Sequence, residues 1–267
     1  MSKRRKNNNA TIWIILLLIA VLAVFLSFTR PGKKIISWVG LSTGLTSQID
    51  ASSTVMGVSI PDSYTVYGID VSRYQNDIDW EKVAAFEAEP FSVEFAFIKA
   101  TEGNKMVDPT FKTNWKEAGK NSIMRGAYHY FKPSLDAEKQ ANHFCRKVEL
   151  KAGDLPPVLD IEEIPGSMTS RELVKNVLIW LQIVERYYDA KPLVYTNAKF
   201  YELHFRNTEI DHYPLWIAHY YVSQPATLSE WKFWQFSDKA TIDGIDAPVD
   251  VNVFSGNANQ LFSMILK

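Results

Sequence analysis

The chain has 267 residues, 46% of them hydrophobic and 13% aromatic, so it can bury a sizeable core as one large domain or two small ones, which excludes a wholly disordered protein. Seven of its 29 basic residues lie in the first 34 positions, where there is no acid, which leaves 22 basic against 30 acidic residues in the remainder. That remainder carries a net charge near −8, which argues against a nucleic-acid partner.

Residues 10–28 form an uncharged apolar run that follows the basic sequence KRRK at positions 3–6. As a helix the run would measure about 29 Å, close to the ~30 Å hydrocarbon core of a bilayer. A cleaved signal peptide is the alternative, but the run exceeds the usual ~7–15 residue signal core and no A-x-A-like cleavage site follows it. The sequence predicts a basic tail at 1–9 and a single-pass transmembrane signal anchor at 10–28, with the body on the extracytoplasmic side.

Residues 29–63 are rich in Ser, Thr and Gly in their central part and are predicted to be a flexible linker. A flexible chain of this length spans roughly 33 Å root-mean-square, so the body would work close to the membrane. The body itself, residues 64–267, is predicted to be one domain.

Short apolar strands alternate with helical patterns along the body. The predicted strands cover residues 65–71, 94–100, 126–131, 157–162, 193–196, 215–220, 232–237 and 248–254, and the predicted helices cover 79–87, 110–121, 135–150 and 171–188. The last helix has a capping-box pattern, Thr169 with Glu172. This order predicts the α/β class, an irregular TIM-barrel-like (β/α) barrel with its chemistry at the carboxyl ends of the strands.

Four carboxylates lie at or near predicted strand ends: Asp70, Asp160, Glu162 and Asp250. In a continuous strand Asp160 and Glu162 would point to the same face with Cα atoms ~6.6 Å apart, close enough for each to perturb the ionisation of the other. Each acid alone could be an ordinary cap or a solvated strand end. Together they predict one acidic site at the mouth of the barrel.

Nine short motifs carry a resemblance to a known family. They are GIDVS at 68–72, IDW at 78–80, FIKATEG at 97–103, GAYHYF at 126–131, PVLDIE at 157–162, VYTN at 194–197, LWIA at 215–218, WQFS at 234–237 and VDVN at 249–252. In this order they resemble glycoside hydrolase family 25, the lysozymes that act as N-acetylmuramidases on bacterial peptidoglycan. The resemblance implies a flattened, irregular β/α barrel, with Asp160 and Glu162 as the catalytic pair and Asp70 and Asp250 as supporting acids.

Glycoside cleavage needs a proton for the leaving oxygen and a group that stabilises positive charge at the anomeric carbon. Glu162 is predicted to be the general acid, with its pKa raised by the repulsion of the neighbouring carboxylates, while Asp160 stays ionised. Asp160 then stabilises the cation or orients the N-acetyl group of the substrate. The spacing leaves retaining, inverting and substrate-assisted outcomes open.

The resemblance also implies substrate contacts, which we assign to Lys99, Tyr128, Tyr195, Trp216 and Gln235. Lys99 is predicted to pair with Asp70 or with the muramyl lactate, the alternative being a surface lysine. The five histidines show no metal-ligand spacing, and Cys145 is the only cysteine, so no metal site, disulfide or cofactor is predicted.

The sequence therefore predicts a membrane-anchored monomer that cleaves the β-1,4 bond between N-acetylmuramic acid and N-acetylglucosamine, on the periplasmic or cell-surface side of a bacterial cell. Its partners would be peptidoglycan glycan strands and, through residues 10–28, the membrane. A non-catalytic peptidoglycan-binding module and a hydrolase of another N-acetylhexosamine polysaccharide remain as alternatives.

Overall fold

The computed structural model describes residues 56–61, 63–225 and 230–267. The predicted basic tail, the predicted anchor and most of the predicted linker lie outside these residues. Within the part that is described, no helix has the length and apolar character needed to cross a membrane.

A closed eight-stranded barrel forms the centre of the described domain. The strands are β1 (Tyr67–Val71), β2 (Glu87–Ala88), β3 (Phe91–Glu102), β4 (Met106–Val107), β5 (Met124–Tyr130), β6 (Val158–Asp160), β7 (Leu193–Asn197), β8 (Leu215–Ala218), β9 (Phe233–Ile242) and β10 (Ile245–Phe254). The barrel runs β1-β3-β5-β6-β7-β8-β9-β10 and closes where β10 pairs with β1, while β2 and β4 are short strands that pair with β3. The predicted β/α barrel is confirmed, and each of its eight predicted strands is present.

The second half of the barrel departs from the regular βα repeat. Neighbouring strands of the barrel pair in parallel from β1 round to β9. Strand β10 is antiparallel to both β9 and β1. The cause is local: β9 and β10 are joined by a tight turn at Asp243 and Gly244, and Gly244 has φ +96°. A connection this short can only reverse the chain, because a parallel crossover needs a dozen residues or more.

Helices pack around the outside of the barrel. They are α1 (Trp80–Ala85), α2 (Phe111–Lys120), α3 (Ala137–Lys147), α4 (Ser170–Tyr188), α5 (Ala198–His204) and α6 (Ala258–Phe262). The first four confirm the predicted helices, and α4 begins with the predicted capping box of Thr169 and Glu172. Helices α5 and α6 were not predicted, since seven and five residues are too few to show a clear helical period.

Side chains alternate between two apolar layers. Leu159 and Ile161 face the helices, whereas Val158 faces the barrel interior, where Phe95, Phe97, Trp216 and Phe233 pack together. These rings fill the barrel beneath its open end.

Two glycines leave room for this aromatic layer. A Cβ on Gly68 would lie 2.4 Å from the carbonyl oxygen of Phe95, and one on Gly126 would lie 2.6 Å from the ring of Phe97. Both distances are far inside van der Waals contact, so the close approach of these strands requires glycine.

The packed domain extends upstream of residue 64, the first residue of the predicted body, into the predicted linker. Met56 is completely buried in the core, and Val58 and Ile60 pack against it. The Tyr67 hydroxyl lies 2.7 Å from the carbonyl oxygens of both Pro61 and Tyr64 and shares its one hydrogen between them. Residues 56–61 are thus held by apolar and polar contacts.

Candidate active site

A cleft of about 360 Å³ opens at the carboxyl ends of the parallel strands. All nine predicted site residues line it: Asp70, Lys99, Tyr128, Asp160, Glu162, Tyr195, Trp216, Gln235 and Asp250. The eight barrel strands supply one of these side chains each, so barrel closure brings together residues that are far apart in the sequence.

Asp160 and Glu162 form a hydrogen-bonded carboxyl pair on one wall of the cleft. Asp160 is the last residue of β6, and Glu162 lies in the loop beyond it rather than in the strand as predicted. The backbone N–H of Ile161 still donates to the carbonyl oxygen of Tyr195 at 3.0 Å, which continues the strand-like direction for one residue. Both acids therefore reach the same cleft.

One oxygen of the pair lacks an ordinary donor. Asp160 Oδ1 is buried and receives no hydrogen bond from a backbone N–H, amide, hydroxyl or cationic group of the described residues. A buried carboxylate oxygen without such a donor is costly, since its desolvation is not compensated.

The raised pKa values of the pair have a different main cause from the one predicted. Burial, more than the repulsion of other carboxylates, raises the pKa of Asp160 well above its usual value and also raises the pKa of Glu162, which keeps one solvent-exposed side. Their mutual hydrogen bond raises the pKa of Asp160 and lowers that of Glu162. Burial therefore opposes the predicted ionisation of Asp160 and favours a protonated carboxyl in the pair.

Asp70 is held in the cleft by two amides. Its Oδ2 accepts hydrogen bonds from Gln235 Nε2 at 2.7 Å and from Asn252 Nδ2 at 2.8 Å. Burial raises the pKa of Asp70 to about 6, although both amide bonds act in the opposite direction.

The same amides order the aromatic wall. Gln235 Oε1 accepts from the hydroxyls of Tyr195 at 2.7 Å and Tyr220 at 2.6 Å, and Asn252 Oδ1 accepts from Trp216 Nε1 at 2.8 Å. Because the amides bond in both directions, Asp70 fixes which of their ends faces the rings. This network places Tyr195 and Trp216 on one side of the cleft.

Asp250 lies directly opposite Asp70 in the β1–β10 ladder. Burial, followed by the charges of Asp70 and Asp238, raises the pKa of Asp250 to about 9. Asp250 is therefore protonated at neutral pH and can donate a hydrogen bond into the cleft.

Lys99 does not pair with Asp70, which corrects one of its two predicted partners. Its Nζ lies 2.8 Å from Glu102 Oε2 and 4.8 Å from the centre of the Tyr130 ring. Lys99 and Glu102 lie near the end of β3, where the register with β5 shifts between Lys99 and Thr101 and interrupts the strict alternation of side chains, whereas Asp70 Oδ2 already accepts from two amides. Lys99 is buried, which also rules out the surface-lysine alternative.

Several residues of the cleft were not predicted as site residues. Tyr130, Tyr220 and Asp238 line it directly, and Asn252 lies behind it. Tyr130 and Asn252 belong to the GAYHYF and VDVN motifs, so their place in a motif was the available signal.

The histidines have structural partners. His129 is buried between Thr101 Oγ1 at 2.7 Å and Gln140 Oε1 at 3.2 Å, and burial lowers its pKa to about 3. Within the described ranges no cluster of His, Cys, Asp and Glu could hold a metal ion.

Comparison with known proteins identifies the family. The model of "Glycosyl hydrolases family 25" matches residues 69–245. The chain is 46% identical over 209 residues to protein YegX of Escherichia coli (strain K12), covering 78% of this chain and 76% of that protein, and 31% identical over 251 residues to "Lysozyme M1" of Streptomyces globisporus, covering 88% and 84%. The solved structure of a family 25 glycosyl hydrolase from Bacillus anthracis superposes with a TM-score of 0.69 at 32% identity, over 76% of this chain and 94% of that one. The chain therefore belongs to family 25 of the glycosyl hydrolases and is a glycoside hydrolase.

Proposed function

We propose that the protein is a peptidoglycan hydrolase, a lysozyme that cleaves the β-1,4 bond between N-acetylmuramic acid and N-acetylglucosamine. The observation that carries this proposal is the buried pair of Asp160 and Glu162, which are joined by a hydrogen bond in the wall of the cleft. Relatives named lysozyme and N,O-diacetylmuramidase support the substrate class.

The substrate itself supplies the missing donor. The acetamido N–H of an N-acetylhexosamine can donate a hydrogen bond to Asp160 Oδ1, which stabilises the ionised form of Asp160. The shared proton then moves to Glu162, which lies nearer to solvent at the mouth of the cleft. Glu162 donates it to the glycosidic oxygen as the bond to the anomeric carbon breaks.

Ionised Asp160 then faces the positive charge that develops on the sugar. With its acetamido group held against Asp160, the sugar can use its own carbonyl oxygen to attack the anomeric carbon, and the carboxylate balances the charge of the resulting oxazolinium ring. We favour this substrate-assisted route because the substrate then both satisfies Asp160 and provides the nucleophile.

Sugar contacts are assigned to the aromatic wall and its amides. The C–H faces of pyranose rings pack on aromatic rings, and the polar tips of those rings bond to hydroxyls. Tyr128, Tyr195 and Trp216 would take the first role, and Gln235 and Lys99 would bond to polar groups of the glycan.

The site of action is assigned from the sequence outside the described residues. Residues 10–28 would anchor a monomeric enzyme in the membrane, with the catalytic domain on the extracytoplasmic side of a bacterial cell, within reach of the glycan strands.

Digestion of purified peptidoglycan, with mass analysis of the reducing ends, tests the proposal. New muramic acid reducing ends are the expected product. Binding without cleavage would replace the proposal by a non-catalytic binding module, and cleavage of chitin alone would replace it by a hydrolase of another N-acetylhexosamine polymer.

A further inference from the structure

Glu162 projects from a loop, so something other than a strand must hold it. The strand ends at Asp160, and residues 161–165 have no regular secondary structure. A general acid must stay within hydrogen-bond reach of the glycosidic oxygen, and a displacement of about 1 Å can cost ~10²-fold in rate.

A chain of alternating charges connects this loop to the barrel. Lys99 Nζ lies 2.8 Å from Glu102 Oε2, Lys132 Nζ lies 3.6 Å from Glu102 Oε1, and the same Nζ lies 3.2 Å from Glu163 Oε1. Glu163 is the neighbour of Glu162 in the sequence. The chain thus runs from a buried lysine of β3 to the residue beside the acid.

Tyr130 ties the two lysines together. Lys99 and Lys132 lie 4.8 Å and 4.5 Å from the centre of its ring, and Tyr130 pairs with Asp160 in the β5–β6 ladder. Glu102 sits between the lysines, and although partial burial opposes it, their combined attraction lowers the pKa of Glu102. The Glu102 carboxylate therefore attracts both lysines.

We propose that Glu102 and Lys132 are positioning residues of the hydrolase: they hold Lys99 beside the acid pair and Glu163 in the loop, and so keep Glu162 over the cleft. The inference rests on the proposed function for its effect on hydrolysis, but the geometry of the charge chain is independent of it. Neither residue is assigned a contact with the reacting atoms.

Substitutions of Glu102 and Lys132 should shift the pKa of the Asp160–Glu162 pair in opposite directions. Glu102→Gln removes a negative charge and leaves Lys99 free to stabilise ionised carboxyls, so the proton is lost at lower pH. Lys132→Met removes a positive charge and leaves Glu163 unpaired beside Glu162, so the proton is lost at higher pH.

Other titratable groups also face the pair and must be kept constant in the test. They are Asp70, Lys99, Tyr128, Tyr130, Glu163, Tyr195, Tyr220 and Asp250. The two substitutions leave all of them in place.

The experiment compares pH–rate profiles of the full chain on peptidoglycan. We expect the alkaline limb of the profile to shift to lower pH by roughly half a unit in Glu102→Gln and to higher pH by a similar amount in Lys132→Met. In both variants kcat should fall about tenfold with little change in KM. Lys132→Arg should restore the profile. Lys139→Met, which breaks an exposed pair with Asp136 on the neighbouring helix, is the matched control and should leave it unchanged.

A second measurement does not need activity. Carbon-13 NMR of labelled Asp and Glu carboxyls should show the titration of the Asp160–Glu162 pair shifting in the same two directions. Unshifted titrations in both variants, or shifts of the same sign, would overturn the inference. If the native protein cleaves no peptidoglycan while the titrations shift as expected, the proposed function fails. The positioning role of Glu102 and Lys132 then still stands.

Discussion

Four carboxyl groups share one cleft, and burial raises the pKa of each of them: Asp70, Asp160, Glu162 and Asp250. Their positions could be predicted from the sequence, because each belongs to a short motif at a strand end. Their protonation could not, because it depends on how much protein surrounds each carboxyl and on which groups bond to it.

The proposed roles of Asp160 and Glu162 give the first prediction. Glu162→Gln keeps the shape of the side chain but has no proton to transfer, so peptidoglycan hydrolysis should fall by at least ~10²-fold while glycan binding persists. Asp160→Asn should be equally severe, because the negative charge beside the developing cation is lost. Rates on peptidoglycan and a pull-down with insoluble glycan measure the two effects.

An activated aryl glycoside separates the two roles. Its leaving group needs no proton, so Glu162→Gln should recover much of its rate on it, and Asp160→Asn should not. Near-native hydrolysis of peptidoglycan by Glu162→Gln would reject the assignment of Glu162 as the acid.

Asp250 should lower the stability of the fold as pH rises. Its pKa is about 9 in the native state against 3.8 for the unperturbed group, so between these values the unfolded state releases a proton that the native state retains. The stability cost of Asp250 therefore grows from about pH 4 to pH 9 and is constant above. Asp250→Asn removes it, so the Tm advantage of this variant should increase over that window.

Asp246 provides the control for this pH series. It is exposed in the same strand, and Asp246→Asn should change Tm by a small amount that varies little with pH. An Asp250→Asn variant whose advantage does not grow between pH 4 and 9 would contradict a buried, protonated Asp250.

At the scale of elements, strand contacts decide which residues the barrel tolerates. The alternation of apolar residues predicted the eight strands. The antiparallel direction of β10 follows from a two-residue turn that only the structure reveals. Close approach between neighbouring strands likewise depends on tertiary contacts, as the glycines show.

Gly68→Ala should destabilise the protein by roughly 3 kcal/mol, the upper part of the usual range for overpacking. The new methyl would meet a backbone oxygen at 2.4 Å, and neither strand can move without loss of ladder hydrogen bonds. Gly166→Ala is the matched control. Its new methyl would have no atom within 4 Å, so the free energy of unfolding should change by less than about 0.5 kcal/mol. Urea denaturation of both variants tests the difference.

Removal of residues 1–62 should weaken the domain although it leaves every strand intact. Such a chain loses the buried Met56, whose burial alone is worth ~1.5–3 kcal/mol, and the packing of Val58 and Ile60. A chain that begins at residue 52 should keep these contacts. Equal urea midpoints for the two chains would show that residues 56–61 do not contribute to stability.

At the scale of the whole molecule, the sequence predicts an enzyme tethered to a membrane, while the described residues form its catalytic domain. The charge-free run at 10–28 has the length of a membrane span and no evident cleavage site, so the mature protein should retain its N-terminus and sediment with membranes. Cell fractionation with N-terminal sequencing decides this. A soluble product that begins after residue 28 would replace the anchor by a cleaved signal peptide.

The sequence by itself determined the fold class, the strands and most of the cleft. Apolar periodicity marks strands and helices because burial of one face drives their formation, and parallel strands carry their final residues to one end of a barrel. That is why Asp70, Asp160, Glu162 and Asp250 could be placed in one site before their contacts were known, whereas Tyr195 and Trp216 were placed there by the family resemblance.

Only the tertiary structure decided which side chains pair with each other and how far burial shifts the pKa of each carboxyl. Lys99 meets Glu102 instead of Asp70, because Asp70 is occupied by Gln235 and Asn252 from strands more than 160 residues away. Burial raises the pKa of both Asp160 and Glu162, and Asp160 is the more deeply buried of the two. Pairing and desolvation arise from the whole assembled barrel, so no local stretch of sequence contains them.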